Sequence, residues 1–257
     1  MKPRTPLRLT ISFSLALCPA IAGVIYSNGP LVTHPGQGAG GADASALQAS
    51  LGMSALGFGA AQSLGYRVAD DFTVPATGWT ISSVTLYGYQ TGAPTSPSTF
   101  TGVTLRIWDG PPGVAGSVVV WGDTVTNRLV SSSWSGIYRV VDYDLTATKR
   151  PIMANVAAVG ITLGPGTYWL DWDFSGSGSY PGPWVPPITI LGQTTTGNAR
   201  QFDGQNWYYI FDSGTNTQQG LPFEINGSVG VVPEPSTLAL VGLGVAAIGL
   251  ARRGRTR

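Results

Sequence analysis

Cysteine, histidine and charge are all scarce in this 257-residue chain, and each scarcity removes a class of chemistry. The one cysteine, Cys18, falls in the N-terminal segment, leaving no disulfide, thiol nucleophile or thiolate metal site in the rest. The one histidine, His34, rules out a multi-histidine metal centre. It also leaves Ser–His or Cys–His catalysis almost no footing. Charged residues make up 11%, against roughly 25% in an ordinary soluble domain. Between Gly23 and Gly230 stand seven basic and twelve acidic residues, only one of them a glutamate (Glu224), for a net charge of about −5. An acidic body without a basic stripe argues against a nucleic-acid partner.

What is abundant points elsewhere. Glycine supplies 36 residues, proline 19 and tryptophan 8, with hydrophobics at 43% and aromatics at 10%. That is enough apolar mass for a core. Short apolar runs punctuated by Gly and Pro indicate an all-β chain with many turns. The remaining basic residues sit at the ends: Lys2, Arg4 and Arg8, then Arg252, Arg253, Arg255 and Arg257.

Residues 1–22 read as a secretory signal peptide. A positive start precedes the apolar stretch Leu9–Leu17, and Ala20-Ile21-Ala22 offers small-x-small cleavage by signal peptidase between Ala22 and Gly23. Leu17 directly before Cys18 is too large for a lipoprotein signal, so lipidation is not expected.

The other end, residues 231–257, has three parts: Val232-Pro233-Glu234-Pro235-Ser236, an apolar stretch, and Arg252-Arg253-Gly254-Arg255. Pro233 and Pro235 fix φ and remove amide donors, which holds Glu234 in an extended segment. Leu238–Ala251 is apolar or Gly and suits a short transmembrane helix, below the usual ~20 residues. The arginines would hold the terminus on the cytoplasmic side. This tail resembles the PEP-CTERM sorting signal of exopolysaccharide-producing Gram-negative bacteria. The resemblance implies that an exosortase, a membrane protease, recognises Pro233, Glu234 and Pro235 and cuts near them. It implies transient inner-membrane anchoring, then delivery to the cell surface or extracellular matrix.

For the body, residues 23–230, period-two alternation and turn signals predict strands over Tyr66–Val74, Trp79–Gln90, Val103–Asp109 and Ser117–Trp121. Further strands are predicted over Ile137–Leu145, Val156–Leu163, Thr167–Phe174, Ile188–Leu191, Asn198–Phe202, Trp207–Phe211 and Phe223–Val229. Asp109-Gly110-Pro111-Pro112-Gly113, Gly164-Pro165-Gly166 and Asp203-Gly204 mark turns between them. The expectation is a β-sandwich of jelly-roll type. Ala42–Leu56, rich in Ala and Leu, is read as a short helix or ordered loop. The body also resembles secreted bacterial domains with ADDFTVP-like and PGTYWLDW-like segments, here Ala69–Pro75 and Pro165–Trp172 with Leu105–Gly110 between. That resemblance bears on fold and not on activity.

Several motifs are candidate sites. Gly36-x-Gly38-x-x-Gly41 matches the dinucleotide pattern but lacks the strand–turn–helix context it needs. Ser63 lacks the first Gly of a nucleophile elbow, and His34 precedes it. Asp142/Asp144 and Asp171/Asp173 each sit two apart, so on a strand each pair shares a face. The plain reading is a solvated face; the alternatives are a calcium site and the carboxylate pair of a glycosidase or lyase. Trp108 and Trp169 fall on the otherwise polar faces of their strands, beside acids and Arg106. Indoles in that setting suit stacking on sugar rings, unless a second layer covers them.

The leading expectation is an exported, non-catalytic envelope or matrix protein, without metal or cofactor, whose partner is exopolysaccharide. A dedicated carbohydrate-binding module is the alternative, and a secreted glycosidase or lyase the lesser one.

Overall fold

The computed structural model describes residues 23–230. The expected signal peptide with Ala22, the expected sorting residues Pro233, Glu234 and Pro235, the helix expected over Leu238–Ala251 and the basic residues Arg252, Arg253 and Arg255 lie outside the described residues. Gly23 opens the first strand. No helix among the described residues is long and apolar enough to cross a membrane.

The chain runs β1 (Gly23–Ser27), β2 (Asp43–Leu47), β3 (Phe58–Gly59), β4 (Arg67–Val74), β5 (Trp79–Gly88), β6 (Phe100–Trp108), β7 (Val119–Asp123) and β8 (Leu129–Val141). It continues through β9 (Pro151–Leu163), β10 (Gly166–Gly176), β11 (Trp184–Val185), β12 (Arg200–Phe202), β13 (Trp207–Tyr209), β14 (Phe211–Asp212), β15 (Thr217–Gln218) and β16 (Phe223–Val229). One six-stranded sheet has the order β1-β16-β5-β9-β8-β2 and the other β13-β12-β4-β10-β6-β7. The pairs β3–β11 and β14–β15 form two small ribbons. All strand pairs are antiparallel except β2–β8 at one edge, a departure from an all-antiparallel jelly roll.

Alternation decides which side faces in. Leu170, Trp172 and Phe174 of β10 and Val103, Leu105 and Ile107 of β6 meet Ile81, Val84 and Leu86 of β5 and Phe223 and Ile225 of β16 in one core between the sheets. In β5 the inward residues Ile81 and Val84 are three apart, which alternation alone forbids. The register shifts between Ile81 and Ser83 against β9, and that bulge restores the phase. Trp172 lies wholly inside, its ring edge-on to Phe223 at 5.9 Å.

Three sequence expectations are corrected. Ala42–Leu56 is no α-helix: β2 occupies Asp43–Leu47, and only a 3₁₀ turn at Ala49–Leu51 is helical. Ala44, Ser45 and Ala46 are fully buried, so small side chains let this strand dock beside β8 and outweigh alanine's helix preference. Ile188–Leu191 forms no strand, because the amides of Ile188 and Thr189 go to different partners, Gly220 and Pro30. β8 begins at Leu129 and ends at Val141, so Asp142 and Asp144 lie in a turn and not on a common strand face. Asp142 accepts from the amide and hydroxyl of Ser50.

Candidate functional site

The side of the second sheet that faces away from the core is polar, and it carries both tryptophans singled out from the sequence. β10 places Asp171 opposite Arg106 of β6 and Ala69 of β4, and places Trp169 opposite Trp108. Alternation along the three strands therefore collects Arg67, Thr104, Arg106, Trp108, Trp169, Asp171 and Asp173 on one face.

This face is not solvated. Asp171 is 0% exposed and Asp173 3%. Asp171 accepts from Arg67 Nε at 2.6 Å, Arg106 Nε at 2.7 Å and Trp108 Nε1 at 3.0 Å. Asp173 accepts from Thr104 Oγ1 at 2.9 Å and from Arg67 Nη1. Both the solvated-face and the calcium readings of this pair are thus overturned: a guanidinium occupies the place a cation would take. Among the described residues, no group of three or more His, Cys, Asp or Glu is placed to hold a metal ion. Burial is the largest influence on Asp173 and, against the lowering effect of Arg67, pushes its carboxyl up to about 6.

The cover comes from distant chain. Arg200 of β12 donates to the Pro112 carbonyl at 2.8 Å, drawing the Asp109–Ser117 loop towards the β12–β13 hairpin. Gly113 there has φ +80°, and a Cβ on it would fall 2.8 Å from Trp207 Cβ, so the loop needs glycine to seat on the indole. Trp169 is 4% exposed and unavailable for stacking. Trp108 is half-buried, with the Arg106 guanidinium 4.9 Å from its ring centre. It lines a recess of about 410 Å³ together with Arg106, Asp173, Gln62, Phe202 and Trp207. Phe202 and Trp207 are cross-strand partners with ring centres 5.4 Å apart.

Of the residues expected to carry glycan contacts, Trp108 reaches a recess and Trp169 does not. Sequence reading passed over Trp207, Phe202 and Arg67. The available signal was Phe202-Asp203-Gly204-Gln205-Asn206-Trp207, a tight turn flanked by two rings that a hairpin must bring together. Gly36–Gly41 holds a 3₁₀ turn at Ala39–Gly41 followed by β2, so no helix follows it to receive a phosphate.

A further buried carboxylate lies on the inner side. Asp70 is 2% exposed and accepts from Asn28 Nδ2 at 2.8 Å and from the amides of Leu221 at 2.7 Å and Asp71 at 3.0 Å. Burial outweighs those donors and pushes its pKa up to about 7. In the unfolded chain it would titrate near 3.9. The folded state therefore holds the proton across that window. The resulting stabilisation is complete below about pH 4 and is lost as pH rises towards 7, with Asp173 adding the same sign up to about 6. Urea unfolding is expected to give a stability that falls by a few kcal/mol from pH 4.5 to 8. Asp70→Asn should flatten most of that slope, and a flat wild-type profile would refute the assignment.

Comparison with protein families matches residues 231–255 to the PEP-CTERM protein-sorting motif. The motif supports export and surface sorting through an exosortase, and it begins directly after the described body. The comparisons with curated proteins and with solved structures returned no match.

Proposed function

We propose that this chain is a non-catalytic β-sandwich protein, released or displayed at the cell surface or in an exopolysaccharide matrix once an exosortase has acted on its tail. The observation that carries the reading is the sorting motif at residues 231–255, abutting a body whose last strand closes at Val229. In this reading Leu238–Ala251 anchors the protein in the inner membrane until cleavage. Pro233, Glu234 and Pro235 present the cut site, and Arg252, Arg253 and Arg255 set the orientation. The non-catalytic part draws support from Asp171 and Asp173, since Arg67 holds both on one side instead of leaving them to face each other across a cleft.

Glu234→Ala should leave body stability unchanged within about 0.5 kcal/mol, because Glu234 follows the last body strand, which closes at Val229. It should accumulate uncut protein in the inner-membrane fraction. The assay is fractionation and immunoblotting of a tagged body in the native host. Secretion at wild-type size and yield would show that this tail does not sort the protein.

A carbohydrate-binding role for the body is favoured by one further observation, the recess that Trp108, Trp207, Phe202 and Arg106 line together. Rings of this kind offer an apolar platform and the guanidinium offers donors to hydroxyls. Trp207→Ala should weaken binding of neutral oligosaccharides about tenfold. A glycan array silent for neutral chains would sink this reading.

A further inference from the structure

A separate recess, of about 460 Å³, opens where the β3–β11 ribbon meets the end of β5. Among its lining residues there is no Asp or Glu, although the body as a whole is acidic. Trp184 and Phe58 come from the ribbon, and Phe211, 44% exposed, comes from β14. Tyr89 lies at its base, tied by a two-way backbone bridge to Trp184, with both N···O distances 2.9 Å. The Tyr89 side chain is 2% exposed, and its hydroxyl, which makes no hydrogen bond among the described residues, is not one of the atoms sealed from solvent without a partner. Gly57 makes room for that hydroxyl, since a Cβ there would lie 2.7 Å from it.

Arg150 shares the lining of the recess with Tyr89, and Arg139 holds the Ala55 and Leu56 carbonyls of the stretch that forms its edge. Arg139 is buried, with no carboxylate in contact; it is held by the carbonyls of Leu56 at 2.9 Å and Ala55 at 3.3 Å and by the hydroxyls of Ser45 and Thr189. Arg150 lines the recess, half-buried, and makes no ion pair or side-chain hydrogen bond among the described residues. Asp212, beside the rim residue Ser213, turns its carboxylate onto the amides of Ser54, Ala55, Gly214 and Thr215. The recess thus combines an uncommitted guanidinium, a phenol hydroxyl without a protein partner, and aromatic walls.

We propose that this recess binds the carboxylate-bearing sugar of an acidic polysaccharide, a uronate residue. The carboxylate would sit between Arg150 and the Tyr89 hydroxyl, with the pyranose face against Trp184 or Phe211. A guanidinium fork matches a carboxylate in plane and donor spacing. The Tyr89 hydroxyl, with no protein partner among the described residues, is free to donate to that carboxylate. The inference rests on the reading that the body binds polysaccharide, but uses a site distinct from the Trp108 recess.

Calorimetric titration of the full-length protein would use oligogalacturonate, a sulfated glucan oligomer and a neutral glucan oligomer as probes. The expected result is oligogalacturonate binding that weakens at least tenfold in Arg150→Gln and in Tyr89→Phe, and several-fold on raising salt. Neutral-glucan binding should be unchanged in both variants and weakened about tenfold only in Trp207→Ala. Arg150 is at the rim and Phe retains the ring of Tyr89, so circular dichroism should show both variants folded. Oligogalacturonate binding indifferent to both substitutions, or absent while the neutral glucan binds, would overturn the proposal and leave the polysaccharide reading standing. Stronger binding of the sulfated oligomer, lost in Arg150→Gln, would place a sulfate ester in the site and overturn the uronate assignment. Failure of the neutral glucan alone would remove the Trp108 recess and not this one.

Discussion

Replacing Arg67 with Met is expected to destabilise the body by about 3–5 kcal/mol. For a domain of this size that lowers the melting temperature by roughly 10 °C. Arg67 is 4% exposed and bonds Asp171, Asp173 and Thr104 together. Without it, Asp171 keeps Arg106 and Trp108, but Asp173 keeps only the Thr104 hydroxyl. A buried carboxylate left without its cation is the expensive outcome; removing both charges together is far milder. Arg67→Met combined with Asp173→Asn should therefore be more stable than Arg67→Met alone, with a coupling of at least about 1 kcal/mol in a double-mutant cycle. Arg67→Lys should fall short of wild type, since one ammonium cannot reproduce a fork reaching two carboxylates. Additive single effects would show that the three groups do not act as a unit.

Asp212→Ala is expected to destabilise by about 2–4 kcal/mol, by the separate route of stranding backbone donors. The Asp212 carboxylate accepts from the amides of Ser54, Ala55, Gly214 and Thr215 and from the Thr215 hydroxyl, at 2.7–3.2 Å. Burial raises its pKa, but those donors together outweigh it and hold the carboxyl below the ordinary range. Asp212 grips the amides of Ser54 and Ala55 while Arg139 grips the carbonyls of Ala55 and Leu56. The loop that edges the anion recess is pinned from both sides. Asp212→Asn should recover only part of the loss, because its NH₂ group turns one acceptor into a donor facing other donors. Hydrogen exchange should localise the damage: amides 54–57 and 213–215 exchange faster in Asp212→Ala while β10 stays protected. Uniform acceleration across the sandwich would contradict this local role.

Much of the architecture was legible because it is written locally. Period-two alternation in Thr167–Phe174 and Val103–Asp109 marks strands and names the residues on each face, and β10 and β6 carry those faces as read. Turn residues such as Asp203-Gly204 mark where the chain reverses. The tail is a contiguous three-part signal, and so needs no fold to be recognised. Where local preference and pairing disagreed, pairing won: Ala42–Leu56 has helix-forming residues, but Ala44 and Ala46 are small enough to lie against β8.

The site depended on what alternation cannot encode. Sequence places Asp171, Asp173 and Trp169 on the side opposite Trp172, and this is correct. Whether that side meets water is set by the Asp109–Ser117 loop and the β12–β13 hairpin, and by Arg67 arriving from 104 residues away through the pairing of β4 with β10. The same two aspartates on a wet face would be ordinary surface charges; covered, they become a buried ion network whose energetics are several-fold larger. Trp108 and Trp169 look equivalent in sequence and part company for the same reason. Side is a property of the strand itself, whereas burial, and with it the strength of every charge and hydrogen bond on that side, belongs to whichever distant segments fold over it.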